Sequence, residues 1–293
     1  MSFKLPDISS DTPSCRLTVL NAGFCLAKRS NLLQGQPRQP IRIPALFFLI
    51  QHPSRGNILF DTGYSTRFYA ITSRFPYSLM KAVTPVHITE QDNAVSQLRN
   101  IGIAPEDIGI VLLSHLHADH AGSVHDFAHA SIYIDRREWE FGQRSGWRLL
   151  RNGYLKPLYN RINPSTINLL DFGAGCGTYG PFEHAIDLLS DGSLILVPLH
   201  GHTIGQYGLL LNQPEGRRYF LMADSVYVRA NYRTLVTGSL ASRLAHYNAR
   251  LYRSLFPMLR QLEENNPEMV CIPSHDPEAY EQYIAAGLQP QPF

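Results

Sequence analysis

The chain has 293 residues, enough for one large domain or two small ones with a sizeable core. With 44% hydrophobic and 17% charged residues it has the composition of an ordinary soluble globule. A formal charge of +2 gives no overall electrostatic case for a nucleic acid or membrane partner, which leaves a small molecule as the expected one.

Residues 1–14 contain Lys4, Pro6, Asp7, Asp11 and Pro13 but no apolar run that would serve as a signal-peptide core. They read as a flexible arm, residues 15–293 as a single domain, and the cytoplasm as the expected compartment. Cys15, Cys25, Cys176 and Cys271 form no Cys-x-x-Cys pair, so reduced thiols are expected rather than a redox motif or a thiolate zinc site. A strand pattern covers Arg16 to Leu26, and a polar stretch from Arg29 to Pro40 leads to a second strand, Ile41 to Gln51. Its apolar run Ile43–Ile50 falls far short of the ~20 residues that span a bilayer. Pro53 to Asn57 signals a hairpin into the strand Asn57–Phe60, which ends at Asp61-Thr62-Gly63.

Residues 64–85 mix Tyr64, Phe68, Tyr69, Phe75 and Tyr77 with Arg67 and Arg74, as a surface helix with an aromatic stripe or a pocket cover would. Thr89 is a candidate N-cap for a helix running to about Asn100. The short β-branched run Ile108–Leu113 reads as a buried strand that delivers Ser114-His115-Leu116-His117-Ala118-Asp119-His120-Ala121-Gly122. Ser123 to Phe127 reads as a helical turn and Ala130–Ile134 as a strand, followed by a helical insertion over 136–163 carrying Trp139, Phe141, Trp147, Tyr154 and Tyr159.

Strands resume at Ile167–Leu170. Gly173, Gly175, Gly177 and Gly180 then form a glycine-rich turn without the strand–turn–helix context of a phosphate loop. The strand Ser193–Leu199 delivers His200-Gly201-His202-Thr203-Ile204-Gly205, Gln206–Leu211 pairs back, and Arg218–Met222 ends at Ala223-Asp224-Ser225. A third helical insertion is expected near 228–264, with a long amphipathic helix from Arg243 to Glu264. The last strand, Met269–Ile272, stops at Pro273-Ser274-His275-Asp276.

A lone histidine is usually a polar residue satisfied by backbone or water. Four ligand-type side chains within six positions are different, because packing them unpaired would incur several desolvation costs. In an extended segment His115 and His117 point to one side, and Asp119 and His120, on the turn that follows, face a second position. His202, Asp224 and His275 each appear where a buried strand ends. Strands lying side by side would bring all seven candidates, His115, His117, Asp119, His120, His202, Asp224 and His275, to one rim. Asp61 has the same placement and would either orient a ligand histidine or simply form a turn. His125 and His129 read as structural.

The His-x-His-x-Asp-His run, the Gly-His-Thr-x-Gly, the Ala-Asp after a strand and the final Ser-His-Asp together resemble the metallo-β-lactamase superfamily. The ordering covers residues from about 15 to 285. The resemblance implies an α+β fold, a four-layer αββα sandwich of two mixed sheets with helices outside and metals at one edge. It also implies that His115, His117 and His202 hold one divalent ion and Asp119, His120 and His275 a second, with Asp224 bridging. The Gly-His-Thr-x-Gly match selects His202 and leaves His200 a supporting or structural role. Zinc is expected, with manganese or iron also compatible with the ligand types.

Within the superfamily the chain is most similar to the N-acyl-homoserine lactonases, whose bridging aspartate is followed three residues later by a tyrosine that contacts the substrate carbonyl; Tyr227 stands there. Ser274, Ile204 and Ser123 depart from the residues common in that group. The implied reaction is attack of an activated water, shared by the two ions, on a lactone or ester carbonyl, with Asp119 protonating the leaving oxygen. Thioesterase or phosphodiesterase activity on the same site, and a non-catalytic metal sensor, are the alternatives. A homodimer is compatible with the sequence.

Overall fold

The computed structural model describes residues 2–287 and 289, apart from 244. Its strands are β1 (Arg16–Lys28), β2 (Pro40–His52), β3 (Gly56–Phe60), β4 (Val86–His87), β5 (Ile108–Leu112), β6 (Ser131–Asp135), β7 (Ile167–Leu170), β8 (Gly177–Tyr179), β9 (Phe182–Asp187), β10 (Leu194–Pro198), β11 (Tyr207–Asn212), β12 (Arg218–Ala223) and β13 (Met269–Pro273). They form a seven-stranded sheet in the order β4-β1-β2-β3-β5-β6-β7 and a six-stranded sheet in the order β13-β12-β11-β10-β9-β8. Both are mixed. In the first sheet β1 to β3 pair antiparallel and β3, β5, β6 and β7 parallel. In the second, β12 and β13 are parallel and the remaining pairs antiparallel.

Strand alternation builds the layers. Along β2, Phe47 and Leu49 pack on the outer side of the first sheet with Leu98, Phe127 and Phe141, while Phe48 and Ile50 face inward. On β10, Leu194 and Leu196 meet that inner face, while Ile195 and Val197 turn outward onto Tyr252, Phe256, Leu259 and Leu262 of the helix Ala249–Asn265. Because both faces of each central strand are buried, these strands read as continuous apolar runs rather than alternating ones. The result is the expected αββα sandwich.

Strand direction places the site. β3, β5 and β6 run parallel, so Asp61, Ser114 and Asp135 emerge at one edge. β10 runs parallel to β12 through the intervening antiparallel β11, and β13 pairs parallel with β12. The loops after β10, β12 and β13 therefore open at one edge of the second sheet. The two edges are stitched together by Tyr207 N–H to Ser114 O at 3.3 Å and Leu46 N–H to Ser274 O at 3.0 Å.

The helical insertions are present but broken into short pieces. The first holds Arg67–Thr72 and Ser78–Val83, and the second Arg136–Gly142 and Trp147–Arg151. The third holds Arg229–Thr234, Leu240–Arg243 and Ala249–Asn265. The expected Arg243–Glu264 helix starts instead at Ala249, because Asn248 caps it by accepting from the Arg250 and Leu251 N–H groups. Leu244, which begins the apolar stripe expected of that helix, lies outside the described residues. The Thr89 segment divides into a 3₁₀ turn, Glu90–Asp92, and the helix Ala94–Asn100. The glycine-rich turn contains an unexpected hairpin, β8 to β9.

The first residues are not a loose arm. Leu5, 2% exposed, packs with Phe182 and Met269 on the outer face of the second sheet. Its N–H donates to Asn266 Oδ1 at 2.9 Å, and Arg218 donates to the Pro6 carbonyl. The polar composition hid one buried leucine and two backbone anchors. Leu5→Ala is therefore expected to lower the unfolding free energy by about 2–3 kcal/mol, read from the urea midpoint at constant m, whereas truncation of an unpacked arm would change nothing.

Candidate metal centre

The loop after β3 begins with a strained residue. Asp61 has φ 62° and is fully buried, a left-handed conformation uncommon outside glycine, held by its N–H on Leu112 O at 2.8 Å. Its carboxylate accepts from the Ser114 N–H and the Ser114 hydroxyl, both at 2.8 Å, and from His120 Nδ1 at 2.7 Å. Asp61 thus orients His120, one of the two roles open to it from sequence. The turn that carries His120 fits against the loop after β3 only without a side chain at Gly122, where a Cβ would lie 2.5 Å from Ala118 O and 2.6 Å from Gly63 O. Ala223, with φ 47°, is a second left-handed residue and immediately precedes Asp224.

The seven candidates come together as two groups. Ligand atoms of His115, His117 and His202 lie within 4.8 Å of one another, as do those of Asp119, His120, Asp224 and His275. Asp224 spans both groups. Its Oδ1 is 3.1 Å from His120 Nε2, and its Oδ2 is 3.2 Å from both His202 Nε2 and His275 Nε2. Asp119 Oδ2 reaches His275 Nε2 at 3.1 Å, and His202 Nε2 faces His117 Nδ1 at 2.9 Å.

Each of the five imidazoles has one nitrogen tied outward. His115 Nδ1 meets Ser114 Oγ at 3.0 Å, His117 Nε2 meets Asn152 O at 2.7 Å, and His275 Nδ1 meets Pro44 O at 2.7 Å. His120 Nδ1 is on Asp61, and His202 Nδ1 lies 3.0 Å from His246 Nδ1. The other nitrogen of each ring points into the cluster, the arrangement that metal-ligating histidines adopt. His115 Nε2, His120 Nε2 and Asp224 Oδ1 are buried there without a hydrogen-bond partner. Buried orphan acceptors are costly and rare, and divalent cations would satisfy all three. The donor set, imidazole nitrogen with carboxylate oxygen, suits zinc.

Electrostatics put His115, His202 and the two carboxylates in their ligating forms. Burial, followed by the neighbouring His120 and His117 rings, holds His115 neutral, its pKa well below the ordinary range, and burial does the same to His202. Burial alone would raise Asp119, but His120 and His275 overcome it and hold its carboxyl down at about 2. Asp224 is likewise held ionised against burial by His275, His120 and His202. Neutral imidazole and ionised carboxylate are the forms that ligate. Against burial, Asp224 and the neighbouring carboxylates push His120 up to about 10 and His275 well above the ordinary range, so these two rings release a proton when a cation binds.

Tyr227 stands over both groups, its ring centroid 5.9 Å from that of His202 and 6.1 Å from that of His275. His200 does not support the cluster. Its polar partners are Arg137 at 2.6 Å and Asp135 at 3.6 Å, because Gly201 reverses the chain between it and His202.

Two residues escaped sequence reasoning. Glu138, 0% exposed, accepts from Leu116 N–H at 3.1 Å, Gly205 N–H at 3.0 Å and the Tyr154 hydroxyl at 2.7 Å. It clamps the loop of His115 and His117 to the loop of His202, and Gly205 approaches so closely that a Cβ would sit 2.7 Å from Glu138 Cβ. Burial pushes its pKa up to about 7 despite these donors. His246 is the outer partner of His202. Both residues sit in segments read as helical, and a helix places a side chain without saying what it will touch.

A family model described as the metallo-beta-lactamase superfamily matches residues 42–275. The N-acyl homoserine lactonase AttM of Azorhizobium caulinodans is 28% identical over 273 residues, 92% of this chain and 97% of that protein. An N-acyl homoserine lactonase of Bacillus cereus is 27% identical over 218 residues, 74% and 78% of the two chains. Among solved structures, an N-acyl homoserine lactone hydrolase with N-hexanoyl-L-homoserine at its catalytic metal centre superposes with a TM-score of 0.73 at 20% identity, covering 92% and 96%. AidC, described as a dizinc quorum-quenching lactonase, superposes at 0.62 and 17% identity, covering 94% and 91%. The structural likeness is one of fold.

Asp61→Ala is expected to weaken zinc affinity about 10–100-fold, read by competition with a chelator, because His120 loses the carboxylate that fixes it. Glu138→Ala leaves two buried N–H groups unpaired and is expected to cost about 3 kcal/mol in urea unfolding.

Proposed function

The chain belongs to the metallo-beta-lactamase superfamily, and we propose that it is a two-metal hydrolase that opens the ring of N-acyl homoserine lactones. The observation that carries this reading is Asp224, one carboxylate reaching both ligand groups, with Tyr227 three residues on and facing both. The named lactonase relatives, matched over nearly their full length, support the same substrate class.

His115, His117 and His202 would hold one cation and Asp119, His120 and His275 the other, with Asp224 shared. When bound, two divalent cations, zinc by the donor set, would supply Lewis acidity and lower the pKa of a bound water. The chain's own groups do the rest. Burial keeps the Tyr227 phenol protonated, so it donates to the lactone carbonyl oxygen as charge develops there. Asp119, ionised and 16% exposed at its side chain, takes the proton of the attacking water and delivers it to the ring oxygen as that C–O bond breaks. The product is the open hydroxy acid.

Of four basic residues that a phosphodiesterase would draw on, Arg67, Arg74, Arg229 and Arg233, three are engaged elsewhere. Arg67 pairs with Asp126, Arg229 with Asp276 and Glu278, and Arg233 with Glu263. Arg74 lines a surface groove with Phe75 and Tyr77. No helix among the described residues is long and apolar enough to cross a membrane, and four free cysteines support a reducing compartment such as the cytoplasm.

Zinc-loaded protein is expected to hydrolyse acyl-homoserine lactones with a kcat/KM at least about tenfold above that for aryl esters or phosphodiesters. Strong phosphodiesterase activity without lactone turnover would overturn the reading. Tyr227→Phe should lower kcat on the order of 100-fold at unchanged metal content, as loss of a single carbonyl donor does.

A further inference from the structure

The outer partners of the two ligand groups differ in charge. Those of the first group are all neutral: a hydroxyl on His115, a carbonyl on His117 and an imidazole on His202. The second group has the Asp61 carboxylate behind His120, with the neutral Pro44 carbonyl behind His275, and contains Asp119 itself. Carboxylates behind a ligating histidine raise its basicity, and neutral acceptors do so less.

His246 is the unusual member. It is 9% exposed, and its ring lies on that of Tyr252 with centroids 3.8 Å apart at 18° and beside that of Tyr227 at 5.5 Å and 29°. The turn that carries it is docked on the ligand loop by Tyr247 N–H to His202 O at 2.8 Å and Asn248 N–H to Gly201 O at 2.9 Å. Two Nδ1 atoms 3.0 Å apart can share only one proton. His202 ligating through Nε2 carries its proton on Nδ1, so His246 must be bare at Nδ1 and protonated at Nε2.

We propose that His246 is a positioning residue: it fixes the ring and tautomer of His202 and, by being a neutral acceptor, sets the affinity of the first group for its cation below what a carboxylate there would give. The same ring contact holds Tyr227 over the site. The proposal rests on the reading of the seven side chains as a two-cation centre.

The test is a zinc titration of the metal-free full-length protein against a competing chelator, resolving two dissociation constants, with cobalt absorption to report geometry. Two resolved sites in the parent chain are the premise, and their absence would defeat the two-cation reading itself, independently of any variant. Asn Oδ1 occupies the place of His Nδ1, so His246→Asn should keep both constants within about threefold. His246→Leu should weaken one constant about 10–100-fold, leave the other unchanged and shift the cobalt spectrum. His246→Asp, the same size as Asn but charged, should tighten the affected constant about tenfold relative to Asn. Equal constants for Asn and Asp overturn the proposal, and this comparison stands whether or not the leucine variant folds. A parallel shift of both constants in His246→Leu, or loss in Asn equal to that in Leu, overturns it as well.

Discussion

Five imidazoles and two carboxylates cannot share a dry pocket unless every ring has one nitrogen secured and the other turned to a common centre. That constraint shapes the structure around it. A hydroxyl, two backbone carbonyls, a carboxylate and a fourth kind of partner, another imidazole, each take one nitrogen. The orphaned atoms left inside then mark where cations belong. Without the outer partners, the rings would turn to solve their hydrogen bonding locally and the inward set would be lost.

The sheets meet the constraint by direction rather than by fine adjustment. Parallel strands release their loops at the same edge, so one edge of each sheet supplies ligands and the contact between the two edges closes the site. Strain is accepted there. Asp61 and Ala223 hold left-handed conformations because the groups around them fix the backbone: Asp61 by three acceptor contacts, Ala223 by its place between paired β12 and the Asp224 loop. The Glu138 clamp adds a rigid distance between two ligand loops that come from different sheets.

What the sequence made legible follows the same division. Each strand that ends at a ligand is a short apolar run bounded by a turn, so His115, His202, Asp224 and His275 could be read from local pattern, and the sandwich was implied by the resemblance that their motifs carry. Contacts made across the fold could not. Glu138 looks like one more charged residue on a helix until Leu116 and Gly205 are seen to donate to it, and His246 falls in a stretch whose periodicity suggests a helix that Asn248 in fact postpones. Leu5 was hidden by its polar neighbours. His200, two positions from a ligand, keeps only the structural one of its two expected roles, because a chain reversal turns it towards Arg137 and Asp135.

The end of β13 carries a consequence of its own. His275 bonds Pro44 O while Ser274 O accepts from Leu46 N–H, so the last ligand is also a rivet between the first sheet and the final strand. A chain released early from the ribosome, before residue 269, would lose the seventh ligand and the parallel neighbour of β12 together. The bare β12 edge, Arg218–Ala223, is almost wholly apolar and would be open to other strands. Such a chain would therefore lack a closed ligand set and a covered sheet edge at once.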